Sequence, residues 1–386
     1  MRSWRKLAVA VLAFVMIFSF SACTNNQEGN KAETPANAPT ETPAAETPAA
    51  EAPKDGTYEI ALITDVGTID DKSFNQGAWE GVVAYAEEAG KTYKYYKPSE
   101  KSDDAYLTSI DLAVKGGAKI IVCPGYLFEV PVFNAQDKYP DVSFIILDGN
   151  PHSGDYKAVV KENTLSIFYA EQEAGFLAGY AAVKDGYRKL GFMGGMAVPA
   201  VVRFGYGYVQ GAEYAAEELK LADGEIKVKY TYVGNFDATP ENMAKAAAWY
   251  NEGTEVIFAC GGAVGNSVMK AAETAGTKVI GVDVDQASES DTVITSSMKN
   301  LTKSVYDALT EYYDNKFRGG EILTLDATVD GVQLPMETSK FKTFTQEDYD
   351  AVYKKIISKE IKLLGDQDVS GPKELETPKV VTEVIE

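Results

Sequence analysis

Short apolar runs alternate with helical patterns along the chain from Thr57 to Gln367. The apolar runs predict β-strands at Glu59–Thr64, Thr92–Tyr96, Lys119–Cys123, Ser143–Leu147, Lys189–Met193, Lys227–Tyr232, Glu255–Cys260 and Lys278–Val282. Between these runs, the spacing of the apolar residues predicts helices such as Asn75–Ala89, Ala105–Lys115, Glu171–Val183, Tyr206–Glu218 and Pro240–Asn251. Strands that alternate with helices are typical of βαβ units with parallel sheets, so we predict an α/β fold.

The pattern repeats between the two halves of this region. The segment GGAKIIVCPGYLFEV (116–130) is similar to EGTEVIFACGGAVGN (252–266), because in each an apolar strand ends in Cys and a Gly-containing loop follows. Asp148 comes 25 residues after Cys123, and Asp283 comes 23 residues after Cys260. We therefore predict two doubly wound lobes whose strand ends face one cleft, which a hinge can close. Two unrelated α/β domains with a chance similarity are the alternative.

Glycines interrupt the apolar helix of residues 169–182, YAEQEAGFLAGYAA. Gly175 and Gly179 are four residues apart, which puts both on one face of the helix. This spacing predicts a core helix that packs closely against a neighbour.

The stretch ITDVGTIDDKSFNQGAWEGV (63–82) places an aromatic side chain, Phe74, at the polar start of a predicted helix. One interpretation is a hydrophobic staple, in which Phe74 packs back on its own helix. The other is a binding residue that water reaches in the free protein. The local sequence favours neither.

The N-terminus has the pattern of a secretory signal sequence. Three basic residues precede an apolar run from Leu7 to Phe20, and Ser-Ala-Cys follows. The Cys after Ser-Ala resembles a bacterial lipobox, which predicts a signal peptide over 1–22 and lipidation of Cys23. An ordinary signal peptide with an incidental Cys is the alternative.

The composition of residues 23–56 predicts a disordered linker. They are rich in Pro, Ala, Glu and Thr, and the tetrapeptide Glu-Thr-Pro-Ala starts at positions 33, 41 and 46. Such a composition buries too little apolar surface to offset chain entropy. The linker would connect the lipid anchor to the folded region, so we expect the protein to be attached to the extracytoplasmic face of the cell membrane.

Charge and reactive residues restrict the possible functions. Without residues 1–22 the chain has 34 basic and 57 acidic residues, a net charge of −23, which disfavours nucleic acid as a partner. Cys123 and Cys260 lie in separate halves, and nothing in their positions predicts a disulfide. With His152 as the single histidine, neither a metal site nor His-based catalysis is expected, and we expect no cofactor.

Several motifs together resemble one family. TDVGTIDDKSFNQGAWEG, AEQEAGFLAGYAA, YVGNFDATPENMAKAAAWYNEGTEVIFACGGAVGNSV, VIGVDVDQ and VITSSMKN are similar to the basic-membrane-protein family of ABC-transporter substrate-binding lipoproteins, which includes purine nucleoside receptors. The resemblance covers residues 57–365. It implies a type I periplasmic-binding-protein fold, a nucleoside ligand, an ABC-transporter permease as partner and a monomeric protein.

The resemblance also implies a set of ligand-binding residues. The two aromatic residues that sandwich the base would be Phe74 and Phe236. The polar and glycine positions would be Asp65, Asn75, Asp148, Gly262, Asp283 and Lys299. Asp285 is the alternative to Asp283. Aromatic faces stack on a base, and carboxylates accept strong hydrogen bonds from ribose hydroxyls.

The resemblance implies lobes that are built from non-contiguous segments. We expect the N-terminal lobe to contain residues 57–165 and 295–330, and the C-terminal lobe residues 166–294 and 331–365. Residues 366–386 are predicted to form an acidic tail.

Three other functions fit parts of the sequence. An anchored hydrolase would need a nucleophile and a base, and paired carboxylates leave glycosidase chemistry open. A surface receptor that signals through a partner would use the same lobes. A sugar or another small polar solute would also accept aromatic stacking and carboxylates.

Overall fold

The computed structural model describes residues 56–385. The predicted signal peptide, Cys23 and all of the linker except its last residue lie outside this range. The strands are β1 Ile60–Ile63, β2 Tyr93–Tyr96, β3 Ile120–Pro124, β4 Ser143–Leu147, β5 Thr164–Tyr169, β6 Lys189–Gly194, β7 Ile226–Tyr232, β8 Val256–Cys260, β9 Lys278–Asp283, β10 Val293–Lys299, β11 Ile322–Leu325, β12 Val332–Gln333 and β13 Val380–Val384. The α-helices are α1 Phe74–Ala89, α2 Asp103–Lys115, α3 Glu129–Lys138, α4 Glu171–Lys184, α5 Pro199–Glu218, α6 Pro240–Asn251, α7 Val264–Ala275, α8 Leu301–Tyr313 and α9 Gln346–Ile357.

The strands form two sheets, and each sheet is the centre of one lobe. The first sheet has the order β11-β5-β4-β3-β1-β2, and all its pairs are parallel. The second has the order β12-β10-β9-β8-β6-β7-β13, with β12 antiparallel to β10. In both sheets the order reverses beside the first strand of the lobe, which is the topology of a doubly wound sheet. The predicted two-lobed α/β fold is therefore confirmed.

All eight predicted strands are present, but the structure adds β5, β10, β11, β12 and β13. Strand β10 buries three consecutive hydroxyl side chains. Thr295, Ser296 and Ser297 in this strand are inaccessible to solvent, so its apolar run is limited to Val293 and Ile294. Helix α5 begins at Pro199, seven residues before the predicted start at Tyr206. Proline is favoured in the first turn of a helix because the amide it lacks would be unpaired there.

The predicted lobe boundaries need three corrections. Strand β5 extends to Tyr169 and belongs to the first sheet, beyond the expected limit at 165. Strand β10 ends at Lys299 in the second sheet, although residues from 295 onward were expected in the N-terminal lobe. The expected acidic tail contains β13, which pairs with β7 from Val380↔Ile226 to Val384↔Tyr230. Glu213 fixes this segment because its carboxylate accepts hydrogen bonds from the backbone amides of Lys379 and Val380.

Helices α4 and α5 pack with their backbones in contact. A Cβ atom added at Gly175 would lie 2.0 Å from the carbonyl oxygen of Phe204, and one at Gly179 would lie 2.0 Å from that of Tyr208. The close packing predicted from the glycine spacing is confirmed. No helix within residues 56–385 has both the length and the apolar character needed to cross a membrane.

The chain passes between the lobes at three places. It leaves the first sheet after β5 and enters α4, it returns between β10 and α8, and it crosses again between β11 and β12. The crossovers are hydrogen-bonded to one another: the amide of Ala170 donates to the carbonyl of Leu325, and that of Asn300 donates to Gly331. These adjacent segments form the hinge.

Candidate ligand-binding site

A cavity of about 420 Å³ lies between the lobes at the carboxyl ends of their central strands. All eight residues that were predicted to bind the ligand line this cavity. The first lobe contributes Asp65, Phe74, Asn75 and Asp148. The second contributes Phe236, Gly262, Asp283 and Lys299.

Asp65, Asp71 and Asn75 form one hydrogen-bonded unit on the first-lobe wall. The Asn75 amide nitrogen donates to Asp65 Oδ1 and to Asp71 Oδ2, at 2.8 Å each. Its Oδ1 accepts from the backbone amide of Asp65 at 3.2 Å. Both amide hydrogens of Asn75 are therefore used within the protein. Asn75 orients Asp65 toward the cavity.

Asp71 caps helix α1, a role that the sequence analysis missed. Its carboxylate accepts hydrogen bonds from the backbone amides of Ser73, Asn75 and Gln76 at 2.9–3.1 Å. These are amides at the helix start that the helix itself leaves unpaired. The sequence contains little signal for this role, because Asp71 lies two residues before the N-cap residue Ser73, outside the position at which Asp is favoured.

Burial changes the pKa values of both aspartates of this unit. It raises the pKa of Asp65, although hydrogen bonds from Gly67 and Asn75 act in the opposite direction. Burial likewise raises the pKa of Asp71 to about 6, against the hydrogen bonds from Asn75, Gln76 and Ser73. Both carboxyl groups of the first-lobe wall therefore hold a proton more tightly than an exposed aspartate does.

The two predicted aromatic residues lie on different lobes. Phe74 is partly buried at the start of α1, and the Lys299 ammonium is 4.4 Å from the centre of its ring. Phe236 is also partly buried and packs against Gly195, where an added Cβ atom would be 2.4 Å from the Phe236 ring. Phe74 therefore faces the cavity and the Lys299 ammonium. A staple that packs back on its own helix does not account for this position.

Asp148 and Asp283 occupy equivalent positions in the two lobes. Each stands at the end of the strand next to the Cys-containing strand, β4 in the first lobe and β9 in the second. Both have left-handed backbone conformations, with φ of 55° and 67°. Non-glycine residues rarely adopt this conformation, and it is often found at functional sites. The repeat seen in the sequence therefore extends to the backbone conformation of its aspartates.

Lys299 lies at the centre of a buried group of charges. Its ammonium is 2.6 Å from Asp148 Oδ2, 3.6 Å from Asp283 Oδ1 and 3.7 Å from Glu171 Oε1. Burial alone would lower the pKa of Lys299, but these three carboxylates outweigh it and raise the pKa. Lys299 is therefore a permanent cation that connects both lobes.

Asp283, not Asp285, is the aspartate at the cavity. The Ser73 hydroxyl donates to Asp283 Oδ2 at 2.5 Å, across the cleft. Asp285 instead accepts a hydrogen bond from the hydroxyl of Thr338 at 2.6 Å. The alternative between the two positions is resolved in favour of Asp283 as the lining residue.

Other lining residues were absent from the predicted set. They are mainly polar residues of both lobes and apolar residues of the second lobe: Thr68, Asp70, Lys97, Tyr126, Val198, Pro199, Val201, Phe204, Asp237 and Asn266. Phe204 among them is buried in α5. Because several of these residues follow glycine-rich turns, their position in the cavity depends on lobe packing rather than on a local pattern.

Cys123 and Cys260 are buried free thiols, as the sequence suggested. Burial raises the pKa of each thiol, and Cys260 is one of the lining residues. Within residues 56–385 no three His, Cys, Asp or Glu side chains are arranged to hold a metal ion.

Comparison with known proteins assigns the chain to a family. A family model described as "ABC transporter substrate-binding protein PnrA-like" matches residues 59–367. The chain belongs to this family. It is 32% identical to the ABC transporter nucleoside-binding protein BmpA of Lactococcus lactis subsp. cremoris, over 76% of this chain and 84% of that protein. It is also 32% identical to basic membrane protein A of Borreliella burgdorferi, over 78% of this chain and 86% of that protein.

A solved structure supports the fold. The ABC transporter solute-binding protein from Aeropyrum pernix K1 matches 82% of this chain and 96% of its own chain, with a TM-score of 0.70 and 24% identity. The chain is thus a substrate-binding protein with a type I periplasmic-binding-protein fold, and its family is one of binding proteins, not of enzymes.

Proposed function

We propose that this protein captures a nucleoside, with a purine base, in the cavity between its lobes and delivers it to an ABC transporter permease. The observation that carries the proposal is that aromatic rings from both lobes, Phe74 and Phe236, line one cavity together with carboxylates. The protein named as nucleoside-binding among its relatives supports the same ligand class.

The chemistry of the cavity suits a nucleoside. A base has two flat faces and polar edges, so one ring on each face removes both faces from water. Each base–aromatic stack contributes about 1–3 kcal/mol. Asp148 and Asp283 offer carboxylate oxygens to the neighbouring hydroxyls of ribose, and charged acceptors form stronger hydrogen bonds than neutral ones.

The size and backbone of the cavity agree with this assignment. Its volume of about 420 Å³ lies within the roughly 300–1,000 Å³ usual for small-molecule pockets. Gly262 has a φ of +55°, and an added Cβ atom would be 3.5 Å from the Phe236 carbonyl oxygen. A glycine here allows both the left-handed turn and the close approach of a ligand to the backbone.

A ligand panel tests the proposal. We expect calorimetry to show tight binding of purine nucleosides, weaker binding of the free base and much weaker binding of ribose, because only the nucleoside fills both parts of the cavity. Binding of a hexose in preference to every nucleoside would favour the sugar alternative. Loss of nucleoside uptake in cells that lack the protein would separate transport from a purely sensory role.

We further propose that the mature protein is a monomer anchored to the extracytoplasmic face of the membrane through lipidated Cys23, with residues 24–56 between the anchor and the lobes. Cys23→Ala should release the protein from the membrane fraction without changing nucleoside affinity. Retention of the variant in that fraction would contradict the anchor.

A further inference from the structure

We propose that Glu171 is a positioning residue for the cavity: it fixes the ammonium group of Lys299 at the hinge. The inference rests on the proposed function only in taking this cavity as the ligand site. Glu171 itself is not among the lining residues, so it acts through Lys299 and not by contact with a ligand.

Glu171 is held in place from the side away from the cavity. It is the first residue of α4, and none of its surface is accessible to solvent. Its Oε2 accepts a hydrogen bond from Arg203 Nε at 2.7 Å, and Arg203 also contacts Asp366 Oδ1 at 3.2 Å. Arg203 thereby leaves the other oxygen, Oε1, directed at Lys299 at 3.7 Å. Within the described part of the chain, Oε1 has no hydrogen-bond partner.

Glu171 and Lys299 both lie where the chain crosses between the lobes. Glu171 follows β5 by two residues, where the chain leaves the first lobe. Lys299 is the last residue of β10, where the chain returns to it. The contact therefore connects two hinge segments, and Lys299 extends from them to Asp148 in the first lobe.

The Glu171–Lys299 contact matters most for the position of Lys299 when a ligand is bound. Asp148 and Asp283, the other two carboxylates beside Lys299, both line the cavity and would turn their free lone pairs to ligand hydroxyls. Glu171 does not line the cavity, so a ligand there would not compete with Lys299 for its carboxylate oxygens. A buried cation whose partner is removed is strongly destabilised. Glu171 thus keeps Lys299 in position while the two aspartates engage the ligand.

The chain offers a matched control two residues away. Glu173 is also a buried carboxylate in the first turn of α4, and it also lies at the hinge. It accepts hydrogen bonds from the Ala327 amide at 2.8 Å and from Lys359 at 3.1 Å. Glu171→Gln and Glu173→Gln therefore make the same chemical change in similar surroundings, but only the first removes a charge beside Lys299.

The experiment combines calorimetry of the full chain with a purine nucleoside and NMR of lysine side chains labelled with ¹⁵N at Nζ. The Lys299 ammonium signal is assigned by its loss in Lys299→Met. We expect Glu171→Gln to weaken affinity about two- to 30-fold, the range typical of residues that modulate a site without touching the ligand. The same variant should shift the Lys299 signal, and Glu173→Gln should change neither quantity. If Glu171→Gln does not fold, Arg203→Lys should produce smaller changes of the same kind.

Each outcome decides the question. Unchanged affinity in Glu171→Gln, or an equal loss in Glu173→Gln, would overturn the positioning role. If the unaltered protein binds no nucleoside, the proposed function fails, but the NMR signal still tests this inference. A Lys299 signal that moves in Glu171→Gln alone would then support it, and a signal that stays in place would overturn it.

Discussion

Asp71 accepts hydrogen bonds that stabilise the start of α1, although burial of its charged form is unfavourable. It accepts three backbone hydrogen bonds at the start of α1, but its burial raises its pKa from 3.8 to about 6. In the folded protein, Asp71 therefore holds a proton more tightly than it does in the unfolded chain. Its contribution to stability is fully present below pH 3.8 and is lost as the pH rises through about 6.

This residue predicts a pH-dependent difference between the protein and Asp71→Asn. The variant has no proton to lose, so between pH 4 and pH 7 its free energy of unfolding should rise relative to that of the unaltered protein. A shift of two pKa units corresponds to about 3 kcal/mol. Denaturant unfolding without ligand at several pH values measures the difference, with the exposed neighbour Asp70 changed to Asn as control. A difference that does not vary with pH would contradict the prediction.

The polar residues of the site were only partly predictable. The motifs identified Asp65 and Asn75 as individual ligand contacts, whereas the structure joins them through Asp71 into one unit. Glu171 and Arg203 were missed because they lie behind the cavity, and their partners are distant in the sequence. Such contacts depend on how the lobes pack, and local patterns contain no information about them.

At the level of elements, the α4–α5 pair depends on glycines that bring the two backbones together. Gly179→Ala would place a methyl group 2.0 Å from the Tyr208 carbonyl oxygen, so the helices must separate. We expect a loss of about 1–3 kcal/mol in the free energy of unfolding, as for other overpacked cores. Thermal unfolding of the variant without ligand measures this loss.

Gly265 in α7 is the matched control, because an added Cβ atom there would meet its nearest neighbour at 3.8 Å. Gly265→Ala should leave stability unchanged or raise it by up to about 1 kcal/mol, since alanine is the better helix former. Equal destabilisation of both variants would show that helix packing is not the reason for Gly179.

Most elements were predictable where burial and apolar character coincide, although β5, which is both buried and largely apolar, was not predicted. The eight predicted strands and the buried helix α4 follow from the apolar pattern. Strand β10 was not predicted because three of its buried positions are Thr295, Ser296 and Ser297. Strand β13 was not predicted because it lies in an acidic segment and is half exposed. Tertiary packing, not strand propensity, determines these two strands.

At the level of the whole molecule, contacts cross the cleft as well as the hinge. The loop before α1 is held by the second lobe through Ser73 and Asp283 and through the Lys72 carbonyl, which accepts a hydrogen bond from Gln286 at 2.6 Å. The start of α1, which includes Phe74, is therefore hydrogen-bonded to the second lobe across the cleft. Because Phe236 belongs to the other lobe, we infer that the two rings come to face the same ligand only when the cleft is closed.

The most direct test of the account is the affinity of a purine nucleoside for Phe74→Ala and Phe236→Ala, measured by calorimetry beside the melting temperature without ligand. Each variant should bind about five- to 150-fold more weakly, which corresponds to the loss of one stack of about 1–3 kcal/mol, and should melt close to the unaltered protein. Phe144→Ala, in the solvent-inaccessible first-lobe core, is the control and should instead lose about 3–5 kcal/mol of stability. Unchanged affinity in both cavity variants, with a large fall in melting temperature, would contradict the account and make Phe74 and Phe236 core residues.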